Sequence, residues 1–472
     1  MSIRPTQQAV FSQIDRGMLE NFSRLVRAQE QISSGKRIVT PSDDPVGASQ
    51  ALAFKRQIAA ADRNKTSVQG ARVMLDTASS LLQDGGGTLS EARAVLLQAM
   101  NGTQSDDDRR LFAGSIDLIR DRMIEVGNSR AGNRYLFAGT ATDSAPFVES
   151  GDSVRYSGNN QSQNVRVGED ARLMSTISGG EIFALEQRTG TQFSGLTGLA
   201  SGTSADQGTG YRYVSVRHDS TAASGLSSGL ALAGGANDSI LGAHTLVIDG
   251  VAGTAQLDNG ALVHFPATTA STAGDVVVTN EHGAEVHIDF SAYDGTSSSA
   301  TLTGAGSVSL DGTTWTSMAL TEPDLELTSA DGTVLHLDTR GLHRAGVELV
   351  TFGGTVNVFD VLQGISNDMN NVHDLSPRDL RERLDMWLGE LDRNHENIQI
   401  ATGELGSLSQ RATGLEESFD EQGVQIQGLL SDVEDVDFSK VVLDLNRAEQ
   451  TLQLAQATSM RLLQNSLLNF LR

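Results

Sequence analysis

Apolar residues recur at three- and four-residue steps at both ends of the chain, through Phe11, Ile14, Met18, Phe22, Leu25 and Ile32 at the front and Val441, Leu445, Ala448, Leu452, Ala455 and Leu462 at the back. Each run marks one stripe of an amphipathic helix. A single helix cannot shield such a stripe from water, so the two termini are expected to pack on each other or on neighbouring subunits. The first run stops at SSGKRIVTPSDDPVGA, residues 33–48. There Gly35 suits a left-handed helix end, Asp44 an N-cap and Pro45 the first position of the next helix. A second helix is predicted through Ala48, Leu52, Phe54, Ile58, Ala61, Val68, Leu75 and Leu82, broken by the glycines at 85–87, with further helices near 88–100 and 106–128.

Between about Ala145 and Gly354 the pattern changes. Alternating runs such as HTLVIDG (244–250), AEVHIDF (284–290), LELTSADG (325–332) and TVLHLDT (333–339) predict strands, punctuated by Asp-Gly turns at 249, 294, 311 and 331. Residues 195–240, rich in Gly, Ser, Ala and Thr, suit linker, irregular loop or weak strands alike. Helical spacing returns near Asn357. One long helix is expected through Leu384, Leu391, Ile398, Leu405, Ala412, Phe419 and Ile426, with DVEDVDF (432–438) separating it from the terminal helix. The fold class is therefore α+β and multidomain: N- and C-terminal helices form a coiled-coil or helical-bundle stalk, and a Gly-rich, mainly-β outer domain is inserted between them. The expected division is 1–45 with 431–472 as a terminal coiled coil, 46–144 with 356–430 as a helical second domain, and 145–355 as the variable β-rich insertion.

Composition narrows function more than fold. The 472 residues suffice for several domains, and the formal charge of −24 argues against nucleic acid or anionic membrane as a partner. Only four residues are lysine, at 36, 55, 65 and 440. Residues 151–350 hold 22 acidic side chains, 8 arginines and no lysine. The absence of cysteine removes disulfides and thiolate chemistry. No 18-residue apolar run occurs, and the N-terminus lacks an apolar core with a cleavage site, so neither a membrane span nor a cleaved signal peptide is expected.

Candidate catalytic motifs fail individually. HENIQ (395–399) begins like a zinc-protease helix, but Gln399 stands where the second histidine is needed. His282 and His287 with Glu281, Glu285 and Asp289 suit an acidic surface better than a metal site. Asp43-Asp44 and Asp106-Asp107-Asp108 lie at expected helix starts, where capping and the helix dipole account for them. No catalytic, cofactor or metal residues are assigned, and no enzyme activity is expected.

The SSGKRIVTPSDDPVGASQAL turn and the DVEDVDFSKVVLDLNRAEQTLQLAQATSMRLLQNSLLNFL terminus resemble the bacterial flagellin superfamily. Pro41 and Pro45 around Ser-Asp-Asp, and NRYLFAGTATDSAPF (133–147), are most similar to its hook–filament junction branch. The resemblance covers about 145 residues at the front and 115 at the back. It implies a non-enzymatic structural subunit, forming a ring with itself between hook-associated protein 1 and the flagellin filament. It also implies an extracellular, flagellar location, type III export and an export chaperone. The expected assembly interface is Phe11, Ile14, Met18, Leu25, Ile32, Val441, Leu445, Leu452, Leu462 and Leu467. A flagellin filament subunit is the alternative, and a surface adhesin or glycan-binding module a more distant one, given the few aromatics of the middle region (Tyr211, Tyr213, Tyr293, Trp315). Opposite charge at residues 1–40 and 420–439 is expected either to set the register of the ends or to mark solvated faces.

Overall fold

The computed structural model describes residues 7–470 except 103, 151–152, 169–170, 185–189, 235–236, 266–273, 331 and 353–355; of residues 7–11, 14 and 462–470 it describes the backbone alone. Among the described residues the helices are α1 (Gln7–Ser34), α2 (Pro45–Ala99), α3 (Asp106–Gly127), α4 (Gly179–Phe183), α5 (Val358–Met369), α6 (Pro377–Glu434) and α7 (Phe438–Phe470). The chain separates into two compact units: residues 1–72, 165–173 and 410–472, and residues 73–164 and 174–409.

The first unit contains α1, α7 and one portion each of α2 and α6. Its small apolar cluster joins Val68 and Ala71 of α2, Ala412 of α6, and Val167 and Leu173. Lys65 with Asp420 (2.6 Å) and Arg72 with Glu416 (3.0 Å) tie the same two helices. α1 ends as the residue pattern requires, at Gly35 with φ +69°. Asp44 then opens α2 by accepting the Gly47 amide proton at 2.9 Å, and Pro45 is the first helical residue.

The second unit is built on a core shared by α2, α3, α5 and α6. Leu75, Leu82, Leu89, Leu96, Ile116, Met123, Phe359, Ile365, Trp387 and Leu405 are each at most 1% exposed. α2 runs unbroken through Gly85-Gly86-Gly87, against the break expected there. Each glycine costs about 1 kcal/mol in a helix interior, but Leu82 and Leu89 on the flanking turns are completely buried, and full burial of a leucine contributes ~1.5–3 kcal/mol. Tertiary burial overrides the local preference. α3 begins with a reciprocal cap, the Ser105 hydroxyl accepting from the Asp108 amide while Asp108 accepts from the Ser105 amide. After Asn357 a short helix, α5, ends at Met369, and the long helix expected through Leu384–Ile426 is α6, Pro377–Glu434.

The insertion is β-rich. Its principal sheet is antiparallel, in the order Val263–His264, Thr254–Leu257, Gly242–Asp249, Ser298–Ser309, Tyr211–Ser224, Gly346–Thr351, Gln192–Ser194. Alternation drives this arrangement. In Gly242–Asp249 the side chains of His244, Leu246 and Ile248 are buried and their neighbours exposed. The Gly- and Ser-rich stretch that suited linker or strand alike contains the fourteen-residue strand Tyr211–Ser224, which lies inside the sheet. Two further clusters fill the insertion, one around Leu246, Val286, Ile288 and Leu302, the other around Val214, Leu335, Leu337 and Val350.

Candidate assembly surface

The two ends of the chain do meet. α1 and α7 pack along each other within the first unit. Ala28, Val441 and Ala448 are buried, and Met18, Leu25, Ile32, Leu445 and Leu452 are half-buried. The Ser459 hydroxyl donates to the Met18 sulfur at 3.7 Å. Phe11, Ile14, Leu462 and Leu467, also expected at the interface, have side chains outside the described residues. Much of the expected interface is therefore occupied by a helix pair within one chain.

What remains outside is an outer apolar edge on each helix. Leu19 is 69% exposed, Phe22 56% and Leu454 68%. Val26, Val442, Leu443 and Met460 are exposed as well. Phe22, read from spacing as part of the paired stripe, belongs to this outer edge. The signal lay in adjacent apolar pairs: Met18-Leu19, Leu25-Val26, Val441-Val442. Neighbouring residues project about 100° apart around a helix, so both members of a pair cannot face one partner.

A polar seam closes the other end of this helix pair. The turn after α1 and the turn after α6 form a two-stranded bridge, with the Arg37 amide donating to Glu434 O (2.7 Å) and the Val436 amide to Gly35 O (3.0 Å). Glu434 Oε1 accepts from Lys36 Nζ (2.7 Å) and Lys55 Nζ (2.8 Å), and Arg37 Nη2 reaches Val433 O (2.6 Å). Burial raises the Glu434 carboxyl, but hydrogen bonds and charge from the two lysines outweigh it and hold the group below the ordinary glutamate range. Asp43 accepts the Thr40 (2.8 Å) and Val39 (3.1 Å) amides and pairs with Arg27 (2.6 Å). The opposite charges at the two ends thus converge chiefly on one carboxylate, while Asp435 and Asp437 stay exposed.

The histidines weighed in the sequence have local partners. His395 accepts from Gln399 at 3.0 Å, and His282 lies in a turn against the His343 ring, 4.3 Å between centroids. Among the described residues no group of three His, Cys, Asp or Glu side chains is placed to hold a metal ion, and no helix is long and apolar enough to cross a membrane.

Residues 6–142 match the bacterial flagellin N-terminal helical region. The chain is 32% identical over 182 residues to flagellar hook-associated protein 3 of Escherichia coli and 31% identical over 182 residues to that of Salmonella typhimurium, in each case 38% of this chain and 57% of the relative. It thus spans a little over half the length of these curated relatives. A flagellin of Listeria innocua is 30% identical over 131 residues, 27% of this chain and 45% of that protein. Of solved structures, FlgL from Xanthomonas campestris aligns at 18% identity and a TM-score of 0.43, covering 80% of this chain and 99% of that one. The flagellar hook associated protein-3 from Legionella pneumophila aligns at 15% identity and 0.44, covering 81% and 98%.

Proposed function

We propose that this chain of the flagellin superfamily, similar to flagellar hook-associated protein 3, is a non-enzymatic structural subunit of the bacterial flagellum that joins hook to filament. The observation that carries the reading is the pairing of α1 with α7. It brings the chain ends together while leaving Leu19, Phe22, Val26, Leu443 and Leu454 uncovered. An apolar edge beside an already formed pair is what a helix needs to pack against further helices of the same or another subunit. The assembly-forming part would be residues 1–45 with 431–472, the helical second domain 46–144 with 356–430, and the variable insertion 145–355. Its partners would be hook-associated protein 1, flagellin, further copies of itself and an export chaperone, the protein leaving the cell by type III export.

Localisation tests this reading. Labelled protein in isolated flagella should be confined to the hook–filament junction. Label along the whole filament would instead make it a filament subunit, the reading favoured by the flagellin similarity. In a strain lacking the native protein, the double substitution Leu19→Asp with Phe22→Asp should be exported yet lose filaments, releasing flagellin into the medium. Normal swimming with attached filaments would overturn the role of this edge.

A further inference from the structure

The chain passes between the two apolar clusters of the insertion at Ile240 and Leu241. Ile240 is buried with Leu246, Val286 and Ile288, and Leu241 with Val214, Leu335 and Val350. The crossing is tight. A Cβ at Gly304, on the neighbouring strand Ser298–Ser309, would fall 2.1 Å from Ile240 O, and Gly242, directly after the crossing, has φ +84°. The strand pair beside it is bulged, since Ala305 pairs with Ser220 and Gly306 with His218, leaving Asp219 over.

Two histidines hold the consecutive carbonyls of this crossing. His218 Nδ1 lies 2.8 Å from Ile240 O, and its Nε2 lies 3.0 Å from Thr221 Oγ1, which itself donates to Asp238 Oδ2 (2.6 Å). His244 Nε2 lies 2.9 Å from Leu241 O, and its Nδ1 lies 2.7 Å from Asp258 Oδ2. Each of these contacts needs a proton. A carbonyl only accepts, so each ring gives one proton to the backbone. The single hydroxyl proton of Thr221 goes to Asp238, and an ionised Asp258 has none, so the second nitrogen of each ring must donate as well. Neutral imidazole carries one ring proton, so each relay holds one more than its neutral histidine supplies; a carboxylate is the stronger acid, and the extra proton rests on the ring. Burial raises the Asp258 carboxyl, but the Thr245 amide and His244 outweigh it and hold the group below the ordinary aspartate range. The His218 and His244 side chains are 2% and 7% exposed.

We propose that the Ile240–Leu241 crossing is a proton-held joint between the two halves of the β-rich insertion: it is closed while both histidines are doubly protonated, and loss of either extra proton sets two acceptors face to face and loosens it. The closed joint binds more protons than the open one, so it weakens as pH rises. Neighbouring charged groups are engaged elsewhere. Arg217 pairs with Asp219, His287 with Asp275, and Arg344 of the returning chain with Asp379, each at 2.8 Å. Glu285 is exposed, and His343 meets the crossing through its carbonyl, which accepts the Leu241 amide (3.2 Å).

The test is hydrogen exchange by mass spectrometry on the intact chain at pH 6.0 and 8.5, on either side of ordinary histidine titration, corrected for intrinsic rates. Protection of residues 239–249 should fall about tenfold at the higher pH, the worth of one charge-assisted hydrogen bond, while that of α3, which has no histidine, stays level. The double substitution Asp238→Asn with Asp258→Asn should abolish this response and keep the joint protected at pH 8.5. Each asparagine brings the missing proton on its own amide, so a neutral histidine then completes the relay. In a second variant, His218→Gln with His244→Gln, whatever protection remains should be equal at the two pH values. A level wild-type profile, a joint that tightens at the higher pH, a loss that α3 shares, or a response that survives in either double variant would overturn the proposal.

Discussion

Gly364 on α5 faces the indole of Trp387, the largest fully buried side chain among the described residues. A Cβ there would fall 2.2 Å from Trp387 Cζ2, and the ring has nowhere to move, being 0% exposed with Nε1 donating to Asp368 at 2.6 Å. Gly364→Ala should therefore destabilise this unit by about 1–3 kcal/mol, read as a lower denaturation midpoint with an unchanged slope. Glu434 gives the opposite kind of sensitivity. Its carboxyl is lowered in the folded state, so its stabilising contribution is present above the ordinary glutamate value of 4.5 and is lost as pH falls through the folded value. Acidification from pH 6 to well below 4.5 should deprotect the Arg37 and Val436 amides in hydrogen exchange, and Glu434→Gln should show weakened protection already at pH 6. At this scale the sequence was readable where the partner was local. Asp44, Pro45, Gly35 and Ser105 act within four residues of themselves, and spacing alone placed the first three. Glu434 was not identifiable, because its Lys36 partner lies 398 residues away.

Among whole elements, helices announced themselves through periodicity, but periodicity carries no information about which of two adjacent apolar rows finds a partner inside the chain. Met18 and Leu25 were legible as a stripe; that Leu19, Phe22 and Val26 form a separate outward edge depended on the placement of α7. The two rows are separable by experiment. Leu452→Asp, in the half-buried row, should open the helix pair and expose α1 to proteolysis, whereas Leu19→Asp should leave it protected and affect only association. Identical protease patterns for the two variants would contradict the division. The glycine triplet misled for a related reason, since local cost was visible and the burial of Leu82 and Leu89 was not. Gly87 now sits in the middle of α2 with open space where a Cβ would be placed. Gly87→Ala should accordingly raise stability by about 0.5–1 kcal/mol, measured by chemical denaturation; a loss would mean that this position serves something other than the helix.

For the molecule as a whole, the insertion between residues 145 and 355 does not detach cleanly from the helices of the second unit. Val154, Ile182, Phe183, Tyr211 and Leu349 belong to the same apolar cluster as Trp387 and the helices around it. Replacing all of 151–350 should therefore destabilise the second unit. A smaller excision should be better tolerated. Ser224 and Thr301 are paired neighbours on adjacent strands, so joining them by a short turn removes most of the cluster around Leu246 and Ile288 but preserves the cluster around Trp387. That shortened protein should still unfold cooperatively, and loss of all tertiary structure would show that the distal cluster stabilises the rest. The seam between residues 35–37 and 434–436 has a different consequence. The helix that covers α1 follows it only about 400 residues later in the sequence. Removal of residues 438–470 should therefore leave α1 without its partner helix, read as faster proteolysis within residues 7–34 than in the intact chain.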